Sequence, residues 1–260
     1  HPGHRHQPAQ RGDPPVVRDK PLIGLVSDAG RGRNHRRFLA VGEDVGLGPA
    51  SGVVTAIWIV AFINIFNFMD GLNGIAGGAA VVGLLAMTLA VGSVGGSGAI
   101  VILGLLLAAA VAGSLDFTYP GGRAFTGDSG SHGAGYFLAA LAVAGAQPAD
   151  GGGFVPFVFL PVVFLPFIID VMLTLIRRLR HGKKIHLAHK EHFYQQLHQR
   201  GLRHGKVAQI YTGACVVSAG AAWLTVQLPP AWQFALPLLL CGIFLVLLKR
   251  LLAAVARNRP

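Results

Sequence analysis

The chain has 260 residues, 52% hydrophobic and 13% charged, with a formal net charge of +11 and a mean hydropathy of +0.54. That balance excludes an ordinary soluble domain and fits a polytopic membrane protein. It also turns the positive charge away from nucleic acid, toward membrane lipid and an anionic substrate.

Residues 1–50 differ from the rest: they are rich in Arg, Gly, Pro and His and lack a long apolar run. No charged, apolar and small-residue regions follow one another there as in a secretory signal. The chain begins with His1 and its first methionine is Met69, so this irregular basic segment is expected to be truncated or non-native. From residue 51 onward, apolar stretches recur at the length a membrane helix needs, roughly 20 residues. The candidate spans are 51–68, 75–94, 99–115, 133–147, 154–176, 207–226 and 232–255. The expected fold class is all-α: a polytopic membrane helix bundle of about seven transmembrane helices, occupying 51–260 as one catalytic-type domain. Gly and Ala in the second to fourth spans permit close helix–helix approach. Pro156, Pro161 and Pro166 predict a kinked fifth span. Cys215 and Cys241 fall inside apolar stretches and read as packing residues.

Orientation follows from Lys and Arg. The loop between the fifth and sixth spans carries Arg177, Arg178, Arg180, Lys183, Lys184, Lys190, Arg200, Arg203 and Lys206, which predicts a cytoplasmic position. Counting spans in both directions puts the basic C-terminal tail and the loops near 67–74 and 116–131 on the same face. Residues 1–50 fall on the other face despite eight Lys or Arg, a second reason to expect a truncated N-terminus.

Only six acidic side chains lie beyond residue 50: Asp70, Asp116, Asp128, Asp150, Asp170 and Glu191. Asp70 stands in the run Asn67-Phe68-Met69-Asp70-Gly71-Leu72-Asn73-Gly74, where an apolar helix meets a polar cluster. Asp128 stands in Phe125-Thr126-Gly127-Asp128-Ser129-Gly130-Ser131 at the start of a later span. A carboxylate at the mouth of a membrane helix needs a partner. Two of them on one face suit Mg²⁺, which takes few carboxylates and completes its shell with water and substrate phosphate. The competing reading is that each aspartate caps the helix that follows it. Asn64 and Asn67 are three residues apart on one helical face and can orient a carboxylate, bind sugar or phosphate oxygens, or bond to another helix. His186, His189 and His192 would share one side of a helix, a pattern that also fits Zn²⁺. The adjacent Lys183, Lys184 and Lys190 favour a phosphate site instead. Phe193 and Tyr194 would hold the segment at the interface or stack on a base. Asp170, one or two turns before Arg177 and Arg178, is a local ion pair or a substrate-facing group.

Taken together, these motifs resemble the polyprenyl-phosphate N-acetylhexosamine-1-phosphate transferases, which include the phospho-N-acetylmuramoyl-pentapeptide transferases. The run from Asn64 to Gly74 looks like the family's Asn-rich Asp-Gly-x-Asp-Gly motif, with Asn73 where a second Asp is usual. Gly127 to Ser131 looks like its Gly-Asp-x-Gly-Ser motif, and His189 to Gln195 resembles the histidine loop of the branch that starts O-antigen and related glycans. Asp28 is the nearest match to an early Asp-Asp pair, and three or four N-terminal helices of the family fold have no counterpart. The resemblance implies transfer of a sugar 1-phosphate from a UDP-sugar to polyprenyl phosphate in the bacterial inner membrane, on the cytoplasmic face. It implies Mg²⁺, with Mn²⁺ as an alternative, and leaves a homodimer open. It assigns Asp70, Asp128 and Asp28 to catalysis, the first two also to the metal. Asn64, Asn67, Asn73, Ser129, Asp170, Lys184, His186, His189 and His192 are the substrate-binding candidates. The alternatives are a non-catalytic remnant of such a transferase, and a membrane transporter, which would instead place charge near the bilayer midplane.

Overall fold

A computed structural model describes residues 50–119, 122, 126–147, 153–182, 191–227 and 235–257, without the side chains of 225–227, 256 and 257. Every regular element among the described residues is an α-helix. The long ones are α1 (Ser51–Met69), α2 (Ile75–Ser93), α3 (Gly98–Thr118), α4 (Gly127–Gly145), α8 (His204–Gln227) and α9 (Ala235–Arg257). Between α4 and α8 lie the shorter α5 (Phe159–Val163), α6 (Leu165–Arg180) and α7 (Phe193–Gln199). Each expected span has a helical counterpart. Among the described residues, five helices, α1, α2, α3, α8 and α9, are long and apolar enough by length and composition to cross a membrane.

The two exceptions have physical causes. The fifth span is broken: the backbone leaves helical geometry at Phe164, and Pro166 restarts the chain in the first turn of α6. The fourth starts at Gly127 rather than 133, so its first two turns carry Asp128, Ser129, Ser131 and His132 and lower its apolarity. Those residues are poor helix formers, and tertiary packing compensates. A Cβ on Gly135 would lie 2.9 Å from the Ile63 Cα of α1, so glycine there lets the two backbones meet closely.

Helix α2 is the hub. It packs on α3, α8 and α4, while α1 lies along α4. More than half of its span (56%) is buried, against 11% for α3 and α9, which therefore present apolar faces to lipid. Rings from α1 and from α5–α6 fill the core: Phe164 meets Phe62 and Phe66 edge-on, with centroids 5.4 and 5.1 Å apart. Arg200, after α7, donates from Nη1 to the Leu252 carbonyl at 2.7 Å, tying α9 to the α7–α8 turn.

Candidate active site

The turn between α1 and α2 forms because Asp70 ends α1, its N–H bonding back to the Asn67 carbonyl. Gly74 then starts α2 with φ +78°, a conformation glycine adopts without strain. Its bare α-carbon also lies against the Tyr119 ring, which a Cβ would approach to 2.8 Å. Neither aspartate is an N-cap: those positions belong to Gly74 and Thr126, and neither makes a side-chain cap bond. Both carboxylates are left for other work.

One amide brings the first two clusters together. Asn67 Nδ2 donates to Asp128 Oδ1 and to Ser131 Oγ, each at 3.2 Å. The Ser131 hydroxyl in turn contacts the Asp128 carbonyl at 3.2 Å. Asp128 and Ser129 are exposed at the start of α4, and Asp70 is half-buried. Burial, then the negative charge of Asp128, push the Asp70 carboxyl up from 3.8 to about 7. The two carboxylates thus repel one another in an environment that already disfavours charge. A hard cation between them relieves that repulsion, so this donor pair fits a Mg²⁺ that keeps waters or substrate phosphates as its other ligands. Among the described residues no group of three or more His, Cys, Asp or Glu is placed to hold a metal.

Asn64 does not join this cluster: it is exposed and donates to its own helix, at the Val60 carbonyl, 2.7 Å away. Asn73 packs against the backbone ahead of α4, where a Cβ on Gly122 would lie 2.1 Å from Asn73 Nδ2. Of the histidine series only His192 is described. It has extended backbone, φ −62° and ψ 150°, as the residue before α7, so a helix through all three histidines does not extend to it. Asp28, Lys184, His186 and His189 lie outside the described residues, as does the whole segment 1–49.

His192 is buried, and its Nδ1 lies 3.1 Å from Asp170 Oδ1. Asp170 is fully buried. Its carboxylate accepts the backbone N–H groups of Phe193 at 3.0 Å and Tyr194 at 3.1 Å, and the Tyr211 hydroxyl at 2.5 Å. The Asp170 oxygens are thus taken up by groups from α7 and α8. Arg178 Nε approaches Glu191 at 3.5 Å, and the Arg177 guanidinium lies 4.8 Å over the Phe193 ring.

Tyr194 is also buried, which excludes stacking on a base. Its hydroxyl donates to the Phe68 carbonyl at 2.9 Å and accepts from Gln195 Nε2 at 3.0 Å. The Gly71 N–H is a further donor to it. Those bonds dock α7 onto the Asp70 turn, with the His192 ring 6.2 Å from that of Phe68. Burial, followed by the charge of Asp170, raises the Tyr194 phenol above its ordinary range. Tyr211 carried no signal in the sequence. Tyr211 sits in an apolar run 41 residues from its carboxylate partner.

The family "Glycosyl transferase family 4" matches residues 27–146. The chain is 30% identical over 190 residues to the probable undecaprenyl-phosphate N-acetylglucosaminyl 1-phosphate transferase of Bacillus subtilis, covering 69% of this chain and 51% of that protein. It is 30% identical over 190 residues to the decaprenyl-phosphate N-acetylglucosaminephosphotransferase of Mycobacterium tuberculosis, covering 66% and 47%. A phospho-N-acetylmuramoyl-pentapeptide-transferase of Symbiobacterium thermophilum is 30% identical over 176 residues, covering 66% and 48%. The chain spans about half the length of these curated relatives. With its apolar helices and two carboxylate motifs joined through Asn67, the chain is similar to these transferases and matches the glycosyl transferase family 4 model over residues 27–146.

Proposed function

We propose that the protein transfers an N-acetylhexosamine 1-phosphate from a UDP-sugar to polyprenyl phosphate, at the cytoplasmic face of a bacterial inner membrane. The observation that carries this reading is the Asn67 bridge to Asp128 and Ser131, beside an Asp70 whose charge Asp128 disfavours. The names of the similar proteins support the same acceptor class.

An oxygen of the lipid phosphate attacks the sugar-linked phosphorus, the bond to the bridging oxygen breaks, and UMP leaves with the electron pair. The nucleophile is already anionic and needs no base. The protein's work is to hold two anions in line and screen their repulsion. Asp70 and Asp128 would hold Mg²⁺, or Mn²⁺, which supplies charge neutralisation for the departing nucleotide. Asn67 fixes the Asp128 carboxylate in direction. His192 offers an imidazole nitrogen to phosphate, with Lys184, His186 and His189 as further basic groups of the same loop.

The test supplies membranes containing the chain with radiolabelled UDP-N-acetylglucosamine, polyprenyl phosphate and Mg²⁺. Label reaching the lipid phase, and lost in Asp128→Asn, is the expected result. Absence of label with every UDP-N-acetylhexosamine tried would refute the reading for this chain.

A further inference from the structure

The Asp170 carboxylate is fully buried, yet five donors converge on it from three elements. Oδ1 faces His192 Nδ1 at 3.1 Å, the Phe193 N–H at 3.0 Å and Thr174 Oγ1 at 3.4 Å. Oδ2 faces the Tyr194 N–H at 3.1 Å and the Tyr211 hydroxyl at 2.5 Å. An ionised carboxylate only accepts, and a buried one is tolerated when its oxygens are this well satisfied.

This arrangement decides which nitrogen of His192 carries hydrogen. Because Asp170 Oδ1 only accepts, Nδ1 must be the N–H. Nε2 is then the ring nitrogen not engaged by Asp170. The backbone bonds to Phe193 and Tyr194 fix where the ring starts, and stacking on Tyr194 at 5.6 Å fixes its plane. Tyr211, from the middle of α8, holds the carboxylate against rotation through the opposite oxygen.

We propose that Asp170 and Tyr211 are positioning residues for His192: together they hold the imidazole in its Nδ1–H form and present Nε2 to a phosphate group at the Asp70–Asp128 site. The ligand half of this statement rests on the phosphotransfer reading above; the tautomer half does not.

The experiment is ¹⁵N-histidine NMR of the full chain in detergent, above the ordinary histidine pKa of about 6.5, with His192→Asn assigning the resonances. The wild type is expected to show His192 protonated at Nδ1 alone, and Asp170→Asn to shift it toward the Nε2–H form. A wild-type ring protonated at Nε2, or in an even mixture, overturns the proposal whether or not the protein proves active. If Asp170→Asn does not fold, Tyr211→Phe takes its place with a kinetic readout. Loss of positioning raises the KM for UDP-sugar about tenfold while kcat changes less. A lowered thermal midpoint with unchanged KM would instead mark Tyr211 as merely structural and overturn its part.

Discussion

Gly71→Ala tests how α7 is docked onto the turn that carries Asp70. A Cβ at this position would lie 2.2 Å from the Tyr194 hydroxyl oxygen, 3.1 Å from its ring carbon and 3.2 Å from Gln195 Nε2. The first distance is about 1 Å shorter than an ordinary van der Waals contact, so something must move. Tyr194 has little room to do so. Its ring is buried, its hydroxyl is bonded to Phe68 and Gln195, and its backbone N–H is held by Asp170. Overpacking costs about 1–3 kcal/mol, and displacing a satisfied hydroxyl adds about 1 kcal/mol, so the variant should lose about 2–4 kcal/mol. Removing the offending atom supplies the control. Tyr194→Phe alone should cost about 1–2 kcal/mol, since it leaves the Phe68 carbonyl unpaired. On that background the new methyl meets the ring carbon at 3.1 Å and Gln195 Nε2 at 3.2 Å, contacts that small shifts relieve, and Gly71→Ala should then cost less than about 1 kcal/mol. Equilibrium unfolding of the four proteins in mixed detergent micelles measures the cycle. Additivity of the two changes within about 0.5 kcal/mol would refute the steric argument.

Three further outcomes are expected. Because the folded-state pKa of Asp70 is raised, its burial costs nothing below the unfolded value of 3.8, and the cost grows as pH rises to about 7. Asp70→Asn should therefore stabilise the metal-free protein at about pH 8 and not at about pH 4, by about 1–2 kcal/mol after discounting the full shift for solvent screening. Thermal unfolding in chelator checks this, and a larger gain at the acidic pH would contradict it. Asn67→Ala releases the Asp128 carboxylate and should lower transfer about 10–100-fold with little change in thermal midpoint; full activity would remove Asn67 from the site. Arg200→Ala breaks the bond to the Leu252 carbonyl and should cost about 1–2 kcal/mol, with hydrogen exchange rising first in the last two turns of α9.

The membrane helices were legible because apolar length is a property of the run itself. The break at Phe164 was signalled by the prolines around it. The start of α4 was only partly legible: the Asp128 run reads as the start of a span, but Gly127 to Gly133 holds poor helix formers, and its helicity comes from docking on α1, which no local pattern reports. Asp70 and Asp128 stood out through the scarcity of acid elsewhere, and Asn67 through its place beside one of them. Their connection spans 61 residues and was inferred only as a shared face. Asp170 was visible as a rare acid, but its partners were not. Its partners are two backbone N–H groups, an imidazole and a phenol from other elements, and backbone donors leave no mark on residue identity.

The bond from the Tyr194 hydroxyl ends on the Phe68 carbonyl, not on its side chain. Any residue at position 68 offers the same acceptor, so the contact places no demand on which amino acid stands there. The demand falls three residues later, on Gly71. Natural variants should therefore exchange residue 68 freely as far as this contact is concerned. A larger residue at 71 should appear only in company with a smaller or hydroxyl-free residue at 194, a signature that a map of coupled substitutions would display between 71 and 194 and not between 68 and 194.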